Sequence, residues 1–154
     1  MLNRVSKSLL FSLLLCISIT SQAQLADSTE TAWTNNHLLA QIGPFTWHVD
    51  YERTVFHRNR YAYLAKVGVG KIYAFDYYGE WAHLSIGMLM GDNRQFADLD
   101  VGVGYFQTNG LEAFTFTELM PVVHAGYRYQ TKHFLWRLGS GFPDALYTAV
   151  GISF

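Results

Sequence analysis

The sequence predicts an all-β protein, an antiparallel up-and-down transmembrane β-barrel of eight strands. From His37 onward, apolar and polar residues alternate with a period of two, as in strands that have two different faces. No segment shows the sustained apolar stripe of an amphipathic helix. Aromatic residues make up 16% of the chain and charged residues only 15%, a composition that fits an exported all-β domain or a membrane barrel.

The first 23 residues have the pattern of a cleaved secretory signal peptide. A basic start precedes an apolar run that is short for a membrane span. Ser21 and Ala23 occupy the −3 and −1 positions of a cleavage site after Ala23. We therefore expect removal of residues 1–23, a polar leader over 24–36 and the barrel over 37–154.

Cysteine usage and net charge exclude several classes of function. Cys16 lies inside the signal and follows three leucines, which does not fit a lipidation site. No other cysteine is present, so neither a disulfide nor a thiol nucleophile is expected after cleavage. The formal net charge is −1, so we expect no nucleic-acid partner.

Eight strand-like segments follow one another, separated by turn-like clusters. An even number of strands places both termini in the periplasm and puts the longest connections, "AFDYYGE" and "TNGLEAFTFTE", on the extracellular side. The predicted strands are "HLLAQI", "FTWHVDYERTV", "YAYLAKVGVGKIY", "WAHLSIGMLM", "QFADLDVGVGYFQ", "MPVVHAGYRYQ", "HFLWRLGSGF" and "LYTAVGISF".

Each strand has an apolar face and a polar face dotted with glycine. In the fifth strand, for example, Leu99 and Val101 alternate with Asp98 and Asp100. We expect the polar faces to form a charge-compensated network inside the barrel, with Asp98 or Asp100 as the partner of Arg128. The predicted members are His48, Asp50, Glu52, Lys66, Asp98, Asp100, His124, Arg128 and Arg137.

Aromatic residues near strand ends favour a membrane barrel, where such residues form girdles at the two interfaces. A soluble exported barrel that binds an apolar ligand has the same alternation and stays open as an alternative. The predicted girdle residues are Trp47, Tyr61, Tyr73, Trp81, Tyr105, Phe134 and Tyr147.

Four segments resemble the small eight-stranded outer-membrane β-barrel proteins of Gram-negative bacteria, a largely uncharacterised group similar to the transmembrane part of OmpA. They are "FTWHVDYERTV", "GVGYF", "HAGYRYQ" and the closing "LYTAVGISF". The resemblance implies a monomer in the outer membrane, surrounded by its lipid. It also implies the barrel-assembly machinery as a partner, with Phe154 at the end of the assembly signal.

No catalysis and no cofactor are expected, and the sequence suggests a structural or surface-interaction role. His83 and Ser85 are similar to the His-x-Ser pair of lipid A deacylases, but alternation turns both side chains away from lipid. A lipid A-modifying enzyme and a narrow, porin-like transport barrel remain alternatives. The histidines show no ligand spacing typical of a metal site, so none is predicted.

Overall fold

The computed structural model describes residues 34–74, 77–92, 94–108 and 117–154. The predicted signal peptide and most of the leader lie outside these residues. No helix in the described ranges is long and apolar enough to cross a membrane. The strands are β1 (Asn36–Ile42), β2 (Thr46–Arg58), β3 (Tyr61–Ala74), β4 (Tyr77–Asp92), β5 (Gln95–Thr108), β6 (Thr117–Gln130), β7 (Phe134–Phe142) and β8 (Ala145–Ser153).

The eight strands form a closed barrel in which every neighbouring pair is antiparallel. β1 pairs with β2 on one side and with β8 on the other, so the first hairpin consists of two strands. At the seam, the Asn36 amide donates to the Phe154 carbonyl (3.2 Å) and the Phe154 amide to the Asn36 carbonyl (3.0 Å). The predicted all-β, eight-stranded, up-and-down barrel is confirmed.

Several strands extend into segments that the sequence predicts as loops or turns, and β4 and β5 are two of them. β4 begins at Tyr77, within the predicted loop "AFDYYGE", because Tyr78 pairs with Tyr73 and Gly79 with Ile72. β5 continues to Thr108. Glycine and polar residues mark turns only when cross-strand pairing does not continue through them, and sequence spacing does not reveal that pairing.

Side chains alternate between the outside and the inside of the barrel as predicted from the two faces. On β5, Leu99, Val101 and Val103 are exposed on the outer surface, whereas Asp98 and Asp100 are buried inside. The outer surface between the strand ends is therefore a band of aliphatic and aromatic side chains.

The prediction of an interfacial girdle is wrong for two of its seven residues. Trp81 and Tyr147 are 3% and 2% exposed and point inward, whereas the other five predicted aromatics are exposed. Trp81 has the same strand parity as His83, and the glycine opposite its ring provides space for it. Position near a strand end predicts an interfacial aromatic only when the residue also belongs to the outward-facing set.

The interior is layered along the barrel axis. On β3 the inward residues run from Leu64 through Lys66 to Ile72, and on β4 they run from Trp81 through His83 to Leu89. Leu64 and Leu89 pack in one apolar cluster, while Ile72 and Trp81 pack in another. On β3 and β4, the inward polar residues therefore lie between two apolar clusters.

We expect Gly104→Ala to destabilise the barrel, because a Cβ there would lie 2.0 Å from Cη2 of Trp81. Overpacking a filled interior typically costs about 1–3 kcal/mol. Urea unfolding in detergent micelles measures the loss. The double change Gly104→Ala with Trp81→Leu provides the control, since Trp81→Leu should cost less in the Gly104→Ala background than in the wild type. Additive costs would show that the two side chains do not compete for this space.

Candidate functional site

The structure places all nine predicted polar residues inside the barrel, where each is buried. They divide into two groups of contacting side chains. The charge cluster contains Glu52, Lys66, Asp98, Asp100, Arg128 and Arg137. The histidine cluster contains His48, Asp50 and His124 together with His83 and Asp144.

Lys66 contacts three acids within the charge cluster. Its position on β3 pairs directly with Glu52 on β2, and Nζ lies 2.9 Å from Oε1 of Glu52. The same nitrogen lies 2.6 Å from Oδ1 of Asp100 and 3.5 Å from Oδ1 of Asp98. One ammonium group therefore joins β2 to β5 across the interior.

The main partner of Arg128 is Glu52, and the predicted partner Asp98 makes only a longer contact with Arg128. Nη1 of Arg128 donates to Oε2 of Glu52 over 2.6 Å, whereas Oδ2 of Asp98 lies 3.9 Å away. In the β5–β6 register Arg128 lies opposite Phe96 and not opposite an acid. Its long side chain instead reaches across the barrel to β2, a contact between strands that are not adjacent.

Arg137 completes the charge balance of the charge cluster. Nε lies 2.9 Å from Oδ2 of Asp98, Nη2 donates to Oδ2 of Asp100, and Nη1 lies 3.5 Å from Oε1 of Glu52. Three carboxylates therefore face three cations. Such pairing offsets the cost of burying charge, which is high for an isolated ion.

Asp144, which is not among the predicted residues, lies at the centre of the histidine cluster. It lies in the turn between β7 and β8, yet its side chain is buried and accepts hydrogen bonds from Gln41 (2.7 Å) and Thr46. Nε2 of His124 lies 2.7 Å from Oδ2 of Asp144, and Nε2 of His48 lies 3.3 Å from it. An acid within the short "PDA" turn is the sequence signal, but it resembles an ordinary exposed turn residue.

Burial opposes ionisation of Asp144, but hydrogen bonds from His124 and His48 outweigh it. They hold the pKa of this carboxyl below its ordinary value. The turn side chain therefore stays an anion inside the barrel.

Asp50 lies between two imidazole rings. Oδ1 of Asp50 is 2.7 Å from Nδ1 of His48 and 3.6 Å from Nε2 of His83. His83 and Ser85, the candidate His-x-Ser pair, are both buried inside the barrel. Neither side chain is on the outer surface, where a lipid substrate would approach.

We expect Glu52→Gln and Arg128→Leu each to lower the free energy of unfolding by about 3–5 kcal/mol, because each leaves buried charges without a partner. In a double-mutant cycle the pair should show strong coupling, and Arg128 should couple more weakly with Asp98. Urea titration in micelles measures both cycles.

The exposed ion pair between Arg60 and Asp92 is the matched control for that cycle. Its Nε and Oδ2 atoms lie 2.9 Å apart, but the side chains are 71% and 52% exposed. Asp92→Asn should therefore cost at most about 1 kcal/mol. If Glu52→Gln costs no more than Asp92→Asn, the charge cluster is hydrated and does not stabilise the barrel.

Comparison with known proteins supports the fold. No protein-family model and no curated protein matches the sequence. Among solved structures, the N-terminal β-barrel domain of Pseudomonas aeruginosa OprF superposes with a TM-score of 0.54 at 13% identity, covering 82% of this chain and all of that one. Ail, the attachment invasion locus protein of Yersinia pestis, gives a TM-score of 0.42 at 9% identity, over 77% of this chain and 90% of Ail. This chain therefore has the eight-stranded barrel fold that the OprF domain represents.

Proposed function

We propose that the protein is an integral outer-membrane β-barrel with a polar interior filled by side chains and a structural or surface-interaction role. The observation that carries this proposal is the distribution of polarity. The outer surface is an apolar band, and the charged side chains of the charge cluster neutralise one another inside. Lipid favours that arrangement and water does not.

The same distribution argues against a soluble barrel that binds an apolar ligand. Such a protein needs an apolar interior and a polar exterior. Here Glu52, Asp98 and Arg128 are fully buried in the interior, while Leu84 and Ile86 are among the exposed aliphatics of β4. An apolar ligand entering this interior would have to displace paired charges.

A transport role is not part of the proposal, because eight strands enclose little more space than their own side chains fill. Lys66, Arg128 and Arg137 extend across the barrel to acids on other strands. These contacts occupy the path that an ion or solute would take. Catalysis is not part of it either, since His83 and Ser85 do not face the lipid.

We propose that the β1–β2, β3–β4, β5–β6 and β7–β8 connections face the cell exterior. The other three connections, the start of β1 and the end of β8 then face the periplasm, as expected for an even-stranded barrel. Asp144 and the histidine cluster lie toward the exterior under this orientation, since Asp144 belongs to the β7–β8 turn.

Washing membranes with carbonate or urea tests the location. We expect the folded protein to remain in the membrane fraction and to shift its gel mobility on heating. The bilayer stabilises the protein because transferring the apolar band into water costs roughly 25 cal/mol per Å². Recovery of folded protein in the soluble fraction would contradict the proposal and favour the soluble barrel.

We also propose that Phe154 contacts the barrel-assembly machinery, and that lipid surrounds the assembled monomer. The Phe154 side chain is exposed on the outer surface beside the β1–β8 seam, where its backbone pairs with Asn36. Phe154→Ala removes the ring and keeps the backbone, so it should slow assembly in cells.

Phe142 is the matched control, because it is also exposed but lies at the other end of the barrel from Phe154. Phe134, at the start of β7, pairs with Ile152 near Phe154, whereas Phe142 ends the same strand. We expect Phe142→Ala to assemble like the wild type, measured as the fraction with folded mobility after a short expression pulse. Equal assembly of the two variants would show that Phe154 is not part of a signal.

A further inference from the structure

The histidine cluster differs from the charge cluster in the way its acids are compensated. Asp50 and Asp144 form no ion pair with Lys or Arg in the described part of the chain. Their buried neighbours are histidine, threonine and glutamine. Two buried carboxylates without a permanent cation nearby are costly unless something positive joins them.

Three side chains of this cluster offer metal ligands at short range. One ligand atom from each of His48, Asp50 and His83 lies within 4.8 Å of the other two, and all three residues are buried. His48 and Asp50 are two residues apart on β2, so their side chains share one face. The sequence signal is thus a His-x-Asp pair. This pair alone does not indicate a metal site, and only the fold shows that His83 on β4 is a third ligand.

Gly68 leaves the space that brings His83 to Asp50. In the strand register Asp50 pairs with Gly68 on β3, which pairs with His83 on β4. A Cβ on Gly68 would lie 2.1 Å from Oδ1 of Asp50 and 2.3 Å from Cε1 of His83. The missing side chain therefore lets two ligands on non-adjacent strands approach each other.

The His83 ring is an incompletely partnered group inside this site. Its side chain is 3% exposed, and Nδ1 is buried with no hydrogen-bond partner within the described residues. Its other nitrogen faces Oδ1 of Asp50 at 3.6 Å, longer than a hydrogen bond. A buried nitrogen without a hydrogen-bond partner calls for an explanation, and a bound ion is one such explanation.

We propose that His48, Asp50 and His83 bind a divalent first-row transition-metal ion, with Zn²⁺ as the fitting member. Two imidazole nitrogens and one carboxylate oxygen are ligands that Zn²⁺ accepts, whereas Mg²⁺ and Ca²⁺ prefer oxygen alone. The charge of +2 matches the two carboxylates, Asp50 and Asp144. The inference goes beyond the proposed function and requires only the barrel.

Asp144 is the positioning residue of the proposed site. His48 presents Nδ1 to Asp50 and Nε2 to Oδ2 of Asp144, which lies 3.3 Å away. When one imidazole nitrogen binds a metal, the other usually donates to a carboxylate that fixes the ring. Gln41 and His124 hold this carboxylate in place.

Zinc titration of the folded, chelator-treated full barrel in detergent tests the proposal, with a competing fluorescent chelator as the readout. We expect one Zn²⁺ per chain. His83→Gln and Asp50→Asn should each weaken binding at least tenfold, and Asp144→Asn about 10–100-fold, the usual effect of losing a residue behind a ligand. Heat-shifted gel mobility checks that each variant is folded.

Two histidines outside the cluster provide matched controls. His37 is buried but bonds to Ser153, and His133 is on the surface. Both His37→Gln and His133→Gln should keep the wild-type affinity. Loss of binding in His133→Gln, or unchanged binding in folded His83→Gln, would overturn the proposal.

Gly68→Ala and cobalt substitution keep the test decisive if a ligand variant fails to fold. Gly68→Ala keeps every ligand and should still weaken Zn²⁺ binding, because its methyl group enters the space between Asp50 and His83. Co²⁺ bound to the wild-type barrel should give the visible absorption of a low-coordinate site with nitrogen and oxygen ligands. Absence of that absorption, together with no stoichiometric Zn²⁺ binding, would overturn the proposal.

Discussion

Glu52 is the residue on which the interior of the barrel depends. It is fully buried on β2 and contacts Lys66, Arg128 and Arg137, which come from three different strands. Removing it would leave three cations sharing two acids, Asp98 and Asp100. Because opposite walls of the barrel meet at this carboxylate, its contacts with Arg128 and Arg137 link β2 to strands that no backbone ladder joins to it.

The charge cluster also explains the exterior. Period-two alternation forces every inward polar residue to have an outward neighbour, and the sequence places aliphatic residues there. On β5, for example, the outward-facing Val101 and Val103 alternate with the inward-facing Asp100 and Gly102. A barrel that satisfies its charges internally can thus present an uninterrupted apolar band, and a polar interior and a lipid-compatible surface are consequences of one pattern.

Sequence patterning predicts what depends on neighbours along one strand. Alternation predicts the strands and the inward face of Asp98 and Asp100, and the structure has them so. The closed barrel needs the even strand count, the aromatic strand ends and the family resemblance in addition. Sequence patterning does not predict what depends on distant strands. The pairing of Arg128 with Glu52 spans the barrel, so no spacing along the chain reveals it.

Asp144 lies beyond the reach of strand patterning for the same physical reason. Asp144 belongs to a turn, and only barrel closure directs its side chain inward toward His48 and His124. The wrong girdle prediction for Trp81 has a different cause, because it follows the position of the residue near a strand end, whereas the parity of the residue places it inside. Side-chain parity was therefore a better guide than position along the strand.

Quenching of single-tryptophan variants by brominated lipids tests the inside–outside arrangement most directly. Trp47 is 41% exposed on the outer surface, whereas Trp81 is 3% exposed inside. With the other tryptophans replaced by phenylalanine, we expect bromine in the bilayer to quench Trp47 strongly and Trp81 weakly. Equal quenching of the two, or quenching of Trp81 alone, would contradict an apolar outer face around a charged interior.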